Sequence, residues 1–196
     1  MDTFVKNYEV TDLEKSDFVR PFRLHFELKG KKRIWDCVNV HDSVSILLFH
    51  KEKNAILLVK QFRPPVWYHQ EKMGENLPNQ GYTYELCAGI LDKHLTPKQT
   101  AIEEIYEETG YESNNLEYIT SFYSALGFAG SKQYMFYAEI ADSDKKGVGG
   151  GVDGEDIELF YLPVDKIRDF MYDENNVKAP GLMFAFMWFF ENKFKK

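Results

Sequence analysis

Glu103, Glu104, Glu107 and Glu108 stand in one short run, Glu103-Glu-Ile-Tyr-Glu-Glu108. On a helix, residues three and four apart are neighbours. Glu103–Glu107, Glu104–Glu108 and Glu104–Glu107 are therefore like-charge pairs, each costing roughly 0.2–0.5 kcal/mol. Glu107 and Glu108 also lie toward the helix's negative end, which disfavours anions further. A cation set against this face reverses the sign of every one of these terms. Carboxylates clustered without a thiolate or an imidazole among them suit a hard ion such as Mg²⁺ or Mn²⁺. The alternative is an acidic helix face that does no more than meet solvent.

The flanking residues must make that helix. Thr96 can cap it, Pro97 suits the first helical position, and Gln99 can reach back to close a capping box. Gly110 supplies a left-handed residue just past the end. Ala101, Ile102 and Ile105 recur at helical spacing and can bury the opposite side.

The chain has 196 residues and is 44% hydrophobic and 16% aromatic, enough for a packed core of ordinary domain size. Its formal charge of −7 leaves no basic stripe to neutralise phosphates, so nucleic acid is not an expected partner. Cys37 and Cys87 lack metal-site spacing and are too few for a disulfide framework. Both read as buried thiols in a reducing compartment. No signal peptide is evident at the N-terminus, and no stretch reaches the ~20 apolar residues of a membrane span. A cytoplasmic location is the expectation.

Around the acidic helix the pattern is mostly strands. Phe22 to Leu28 alternates apolar and polar residues, predicting a strand with one buried face, and Arg33 to Val40 returns as its hairpin partner. Val44–Phe49 and Ala55–Val59 read as the next strands, ended by Pro64 and Pro65. Residues 68–83 read as a surface loop, and Tyr84–Ala88 as a short strand leading to Gly89. Strands are predicted at Leu116–Ser124, Gln133–Ile140 and Ile157–Leu162. Helices are predicted at Pro163–Tyr172 and Leu182–Phe194, the latter apolar nearly all round. A glycine-rich loop covers 142–156. The expected organisation is an N-terminal lead-in and β-hairpin over residues 1–42, then one domain over 43–196, of α/β class with a mixed sheet.

Gly89 through Tyr111 resembles the Nudix box. That pattern is Gly, five residues, Glu, seven residues, Arg-Glu, an aliphatic residue, any residue, Glu-Glu, any residue, Gly and an aliphatic. Gly89, Glu104, Ile105, Glu107, Glu108 and Gly110 all fall in place. Leu95 stands where the family has Glu, and Glu103 where it has Arg. Further stretches are similar to the nucleoside-diphosphate-sugar branch of the family: His41-Asp-Ser-Val, Leu58-Val-Lys-Gln-Phe-Arg-Pro, Glu85-Leu-Cys-Ala-Gly and Gly130-Ser-Lys-Gln.

The resemblance implies an α/β/α sandwich with an N-terminal antiparallel extension that serves a homodimer. It also implies metal-dependent hydrolysis of a nucleoside diphosphate sugar, of the UDP-sugar or the ADP-ribose kind. The implied ligands of Mg²⁺ (or Mn²⁺) are Glu104, Glu108, the Ala88 carbonyl and Glu155. Glu155 is also the implied general base, with Asp153 in reserve and Glu107 as a third carboxylate on the helix face. Arg63, Glu85, Ser131 and Lys132 are the implied substrate contacts; for Glu85, an ion pair with a nearby arginine is the alternative. Glu103 removes the family's orienting arginine: either another cation, such as Lys60 or Lys132, takes over, or the metal site is weaker, which is the route to the alternative of a catalytically weak Nudix-fold ligand-binding module.

Overall fold

The computed structural model describes residues 5–16, 19–75, 77–151 and 155–194. Its centre is a mixed sheet. Strands β3 (Ser43–His50), β4 (Ala55–Phe62), β5 (Tyr82–Glu85), β7 (Glu117–Ser124) and β8 (Ser131–Ile140) run in the order β5-β4-β3-β8-β7. Strand β6 (Cys87–Ile90) also pairs with β3, and β9 (Ile157–Pro163) with β4. β3 and β8 are parallel, and the other pairs are antiparallel.

Alternation along β3 and β4 sorts two cores onto the two faces. Val44, Ile46, Leu48 and Leu57 pack with Cys87 against Ala101 and Ile105 of α2 (Pro97–Thr109). Leu47, Ile56 and Leu58 face α3 (Ile167–Tyr172) and α4 (Pro180–Asn192) through Ile167, Phe170, Leu182, Ala185, Phe186 and Phe189. The result is an α/β/α sandwich. On α4, Phe184 and Met187 remain exposed, so the helix is buried on one side only.

The helix α2 starts and stops where its sequence dictates. The Thr96 side chain accepts from the Gln99 N–H, and the Gln99 side chain accepts in return from the Thr96 N–H at 2.9 Å. Gly110 then turns left-handed at φ 69°.

Three expectations need correcting. Residues 68–83 are not all loop, because Pro64 and Pro65 open a helix, α1 (Pro64–Met73), rather than merely ending a strand. Proline's fixed φ and missing N–H cost nothing in a first turn. Trp67 and Gln70 then bury one side, and the Gln70 side chain accepts from the Gly81 N–H at 2.8 Å.

The N-terminal hairpin, β1 (Arg20–Leu28) with β2 (Lys31–Asn39), forms its own two-stranded sheet. Among the described residues nothing buries a face of it, and every residue of β1 is exposed. Its attachments to the main body include Trp35 Nε1–H to the Gly127 carbonyl and Val38 N–H to the Phe128 carbonyl, both 2.8 Å. Cys37 is consequently half-buried rather than buried, whereas Cys87 is buried. Among the described residues, no helix is long and apolar enough to cross a membrane.

Candidate active site

The strand β6 ends against the acidic helix. The Ala88 N–H donates to Glu108 Oε2 at 3.0 Å. Gly89 lies so close to Glu104 that an added Cβ would fall 1.9 Å from Oε1, so any side chain here would displace the Glu104 carboxylate. β6 and α2 thus lock Glu104 and Glu108 beside the Ala88–Gly89 backbone. Glu108 is only 4% exposed.

Burial, then the neighbouring Glu107, pushes the Glu104 carboxyl up to about 7. Burial pushes Glu108 up to about 8, against the pull of its hydrogen bonds from Cys87 and the Ala88 N–H, with Glu104 and Glu155 pushing further. A half-buried and a buried carboxylate that resist ionising are an arrangement a cation would relieve.

On the same side of the sheet lie Arg63 and Glu85. Glu85 pairs across from Val59, two residues past Leu57 of the α2 core, and so shares that face. Arg63 Nε and Nη2 donate to the two Glu85 oxygens at 2.8 and 2.7 Å, and Thr83 Oγ1 donates to Glu85 as well. Burial raises the Glu85 carboxyl, but these hydrogen bonds outweigh it and hold the group below its ordinary value. The ion pair foreseen as the alternative for Glu85 is therefore present. The charges of Glu108 and Glu155 also reach Arg63. A cavity of about 350 Å³ opens beside the pair, walled by Pro65, Val66 and Val177.

Glu155 is exposed, and its charge acts on Glu104, Glu108 and Arg63 together. The loop before it does not hang free at its glycines. Gly149, Gly150 and Gly151 take φ of 74°, 105° and 84°. The Gly150 and Gly151 N–H groups donate to the Glu108 and Glu107 carbonyls at 2.8 and 3.1 Å. The glycines thus satisfy the orphan carbonyls of α2, which has no basic residue in its last turn. Asp153 lies outside the described residues.

Not all predicted residues converge. Glu103 and Glu107 turn to the outer flank of α2. There a concavity of about 640 Å³ is larger than the one at Arg63, but includes neither Glu104 nor Glu108. Ser131 begins β8 with its hydroxyl 2.8 Å from that of Ser124. The Lys132 N–H donates to Asp42 at 2.8 Å, and its ammonium lies over the Tyr134 ring. Lys60 pairs with Glu158 at 3.2 Å. Neither lysine therefore supplies the charge lost at position 103. Lys93 does, 3.1 Å from Glu103 and 3.7 Å from Glu107. Sequence reasoning missed it because a loop residue outside the helix carries no i,i+4 signal.

A second grouping, His50, Glu52 and Asp142, presents ligand atoms within 4.8 Å of one another. The Lys53 ammonium already sits there, paired with Asp142 and 3.2 Å from His50 Nε2. It pins the β3–β4 turn.

The NUDIX domain family matches residues 39–182. The chain is 37% identical over 198 residues to the uridine diphosphate glucose pyrophosphatase NUDT14 of Bos taurus, covering 89% of each chain. It is 33% identical over 137 residues to the GDP-mannose pyrophosphatase of Citrobacter koseri, covering 70% of this chain and 66% of the relative. A solved structure described as an ADP compounds hydrolase shares the fold, with a TM-score of 0.69 at 15% identity over 92% of this chain and 91% of that one. With the box helix in place and this extent of similarity, the chain belongs to the Nudix family, as a pyrophosphatase hydrolase.

Proposed function

We propose that the protein hydrolyses the pyrophosphate bond of a nucleoside diphosphate sugar, with UDP-glucose cleaved to UMP and glucose 1-phosphate. The observation that supports this reading is the pair Glu104 and Glu108 beside the Ala88–Gly89 backbone, with the Glu155 charge acting on both and on Arg63, in a chain similar to its NUDT14 relative along 89% of its length. ADP-ribose is the leading alternative substrate, and GDP-mannose is named for other relatives.

The donor set fits a hard divalent ion. Glu104, Glu108, the Ala88 carbonyl and Glu155 offer oxygen only, and Gly89 leaves room for the Glu104 carboxylate. Mg²⁺ or Mn²⁺ held there supplies charge neutralisation on the pyrophosphate. Arg63 binds a phosphate through its planar fork, exchanging Glu85 for the incoming anion. Glu155 takes the proton from the attacking water. The water oxygen forms a bond to phosphorus as the bridging P–O bond breaks, and no enzyme ester is formed. Ser131 and Lys132, at the start of β8 and separated from β6 by β3, are proposed to meet the sugar or the second phosphate.

A panel of UDP-glucose, GDP-mannose and ADP-ribose, run with Mg²⁺ in ¹⁸O water with products identified, tests this. The expected result is the highest kcat/KM on UDP-glucose, with the label on one phosphate product. Preference for ADP-ribose overturns the base assignment, and cleavage of none of the three overturns the activity.

Residues 1–42 are read as a dimerisation element and 43–196 as the hydrolase domain. Phe22, Leu24, Phe26 and Leu28 are 39–50% exposed on one side of a hairpin that is marginal when isolated. A second copy covering that side makes a homodimer. Light scattering at micromolar concentration should give twice the chain mass, and a clean monomer would contradict the assignment. The two unbridged cysteines accord with a cytoplasmic location.

A further inference from the structure

The helix α2 carries four glutamates and no basic residue in its last turn, and Glu103 adds a negative charge where the box pattern has a positive one. The compensating charge comes from the loop between β6 and α2. Lys93 lies four residues beyond Gly89, and its Nζ reaches Glu103 Oε2 at 3.1 Å and Glu107 Oε1 at 3.7 Å. One ammonium therefore spans a like-charge pair a helical turn apart. Glu103 and Glu107 flank a concavity on the outside of the helix with Lys93 at its rim, whereas Glu104 abuts Gly89 and Glu108 holds the Ala88 N–H. The four carboxylates are thus divided into an outer pair in direct ion-pair contact with Lys93 and an inner pair, of which Glu104 feels that charge only from farther off.

We propose that Lys93 is a positioning residue, a built-in counter-ion that draws Glu103 and Glu107 to the outer flank and leaves Glu104 and Glu108 as the pair facing the reaction. This rests on the reading of the inner pair given above. An exposed ion pair contributes little to stability, so the consequence is expected in the site more than in the fold. In Lys93→Ala the outer pair loses its cation and all four carboxylates repel. The metal-free protein then melts lower, and Mg²⁺ raises its melting temperature by more than in the wild type. The charge of Glu107, no longer neutralised, then bears in full on Glu104 and disturbs its placement, so kcat falls while KM changes little.

The test is a rescue. Lys93→Ala is expected to lower kcat about tenfold, the low end for a residue that orients a ligand-bearing group. Lys93→Arg is expected to keep the wild-type value. Adding Glu103→Arg to Lys93→Ala returns a cation to the outer flank from the helix itself, and is expected to restore kcat and shrink the enlarged Mg²⁺ response. If Lys93→Ala matches the wild type in kcat and in Mg²⁺ response, or if Glu103→Arg fails to improve it, the proposal is overturned. Should no nucleotide sugar be cleaved, the melting temperatures with and without Mg²⁺ still decide it, with the double variant as the deciding arm. The failure of this proposal and of the proposed function are thereby separable.

Discussion

Glu108→Gln, and Glu104→Gln beside it, should each lower kcat by roughly 10²–10⁴-fold, the scale of several kcal/mol of transition-state charge stabilisation lost with a metal carboxylate. The amide preserves the shape of each side chain, and at position 108 its oxygen can still accept from the Ala88 N–H. Only charge is removed, so the folded protein should persist.

The same groups make a second, non-kinetic readout. With the carboxyls of Glu104 and Glu108 raised from 4.5 to about 7 and about 8, folding favours their protonated forms. Their contribution to stability is whole below about pH 4.5 and is lost as pH rises through about 7 and about 8. The metal-free wild type should therefore melt progressively lower across that window, and Mg²⁺ should oppose the fall because it binds the folded state. Each Gln variant should flatten the metal-free pH profile and lose much of the Mg²⁺ effect. Unchanged metal-dependent turnover in both variants would remove the box helix from the mechanism.

Glu155→Gln should cost roughly 10²–10⁴-fold in kcat, the usual contribution of a general base, with KM for the nucleotide sugar little changed. Its charge reaches Glu104, Glu108 and Arg63, the groups proposed to hold the metal and the phosphate. Gly150 and Gly151 are tied to the end of α2 through the Glu108 and Glu107 carbonyls. Asp153→Asn is the control. If both variants kept near wild-type turnover on the best substrate, the base would lie elsewhere, with Glu85 and Glu107 next in line. Each of those already faces a cation, Arg63 and Lys93 respectively.

Sequence alone determined the parts of this protein whose physics is local. The box helix begins at a Thr96–Gln99 capping box and ends at a left-handed Gly110, because caps are read from a few adjacent residues. The core strands followed from apolar alternation, and the mutual repulsion of the four glutamates follows from helical spacing.

Tertiary structure decided which of those glutamates turn inward. Only the packed sheet sets Gly89 against Glu104 and the Ala88 N–H against Glu108. Only the fold carries a loop lysine to Glu103 and Glu107, and brings Arg63 onto Glu85 across two strands. The α1 helix was hidden because its two prolines are compatible with both a strand's end and a helix's first turn. The exposed hairpin was hidden for the opposite reason. Alternation specifies that a face is apolar, but not whether the same chain supplies anything to cover it.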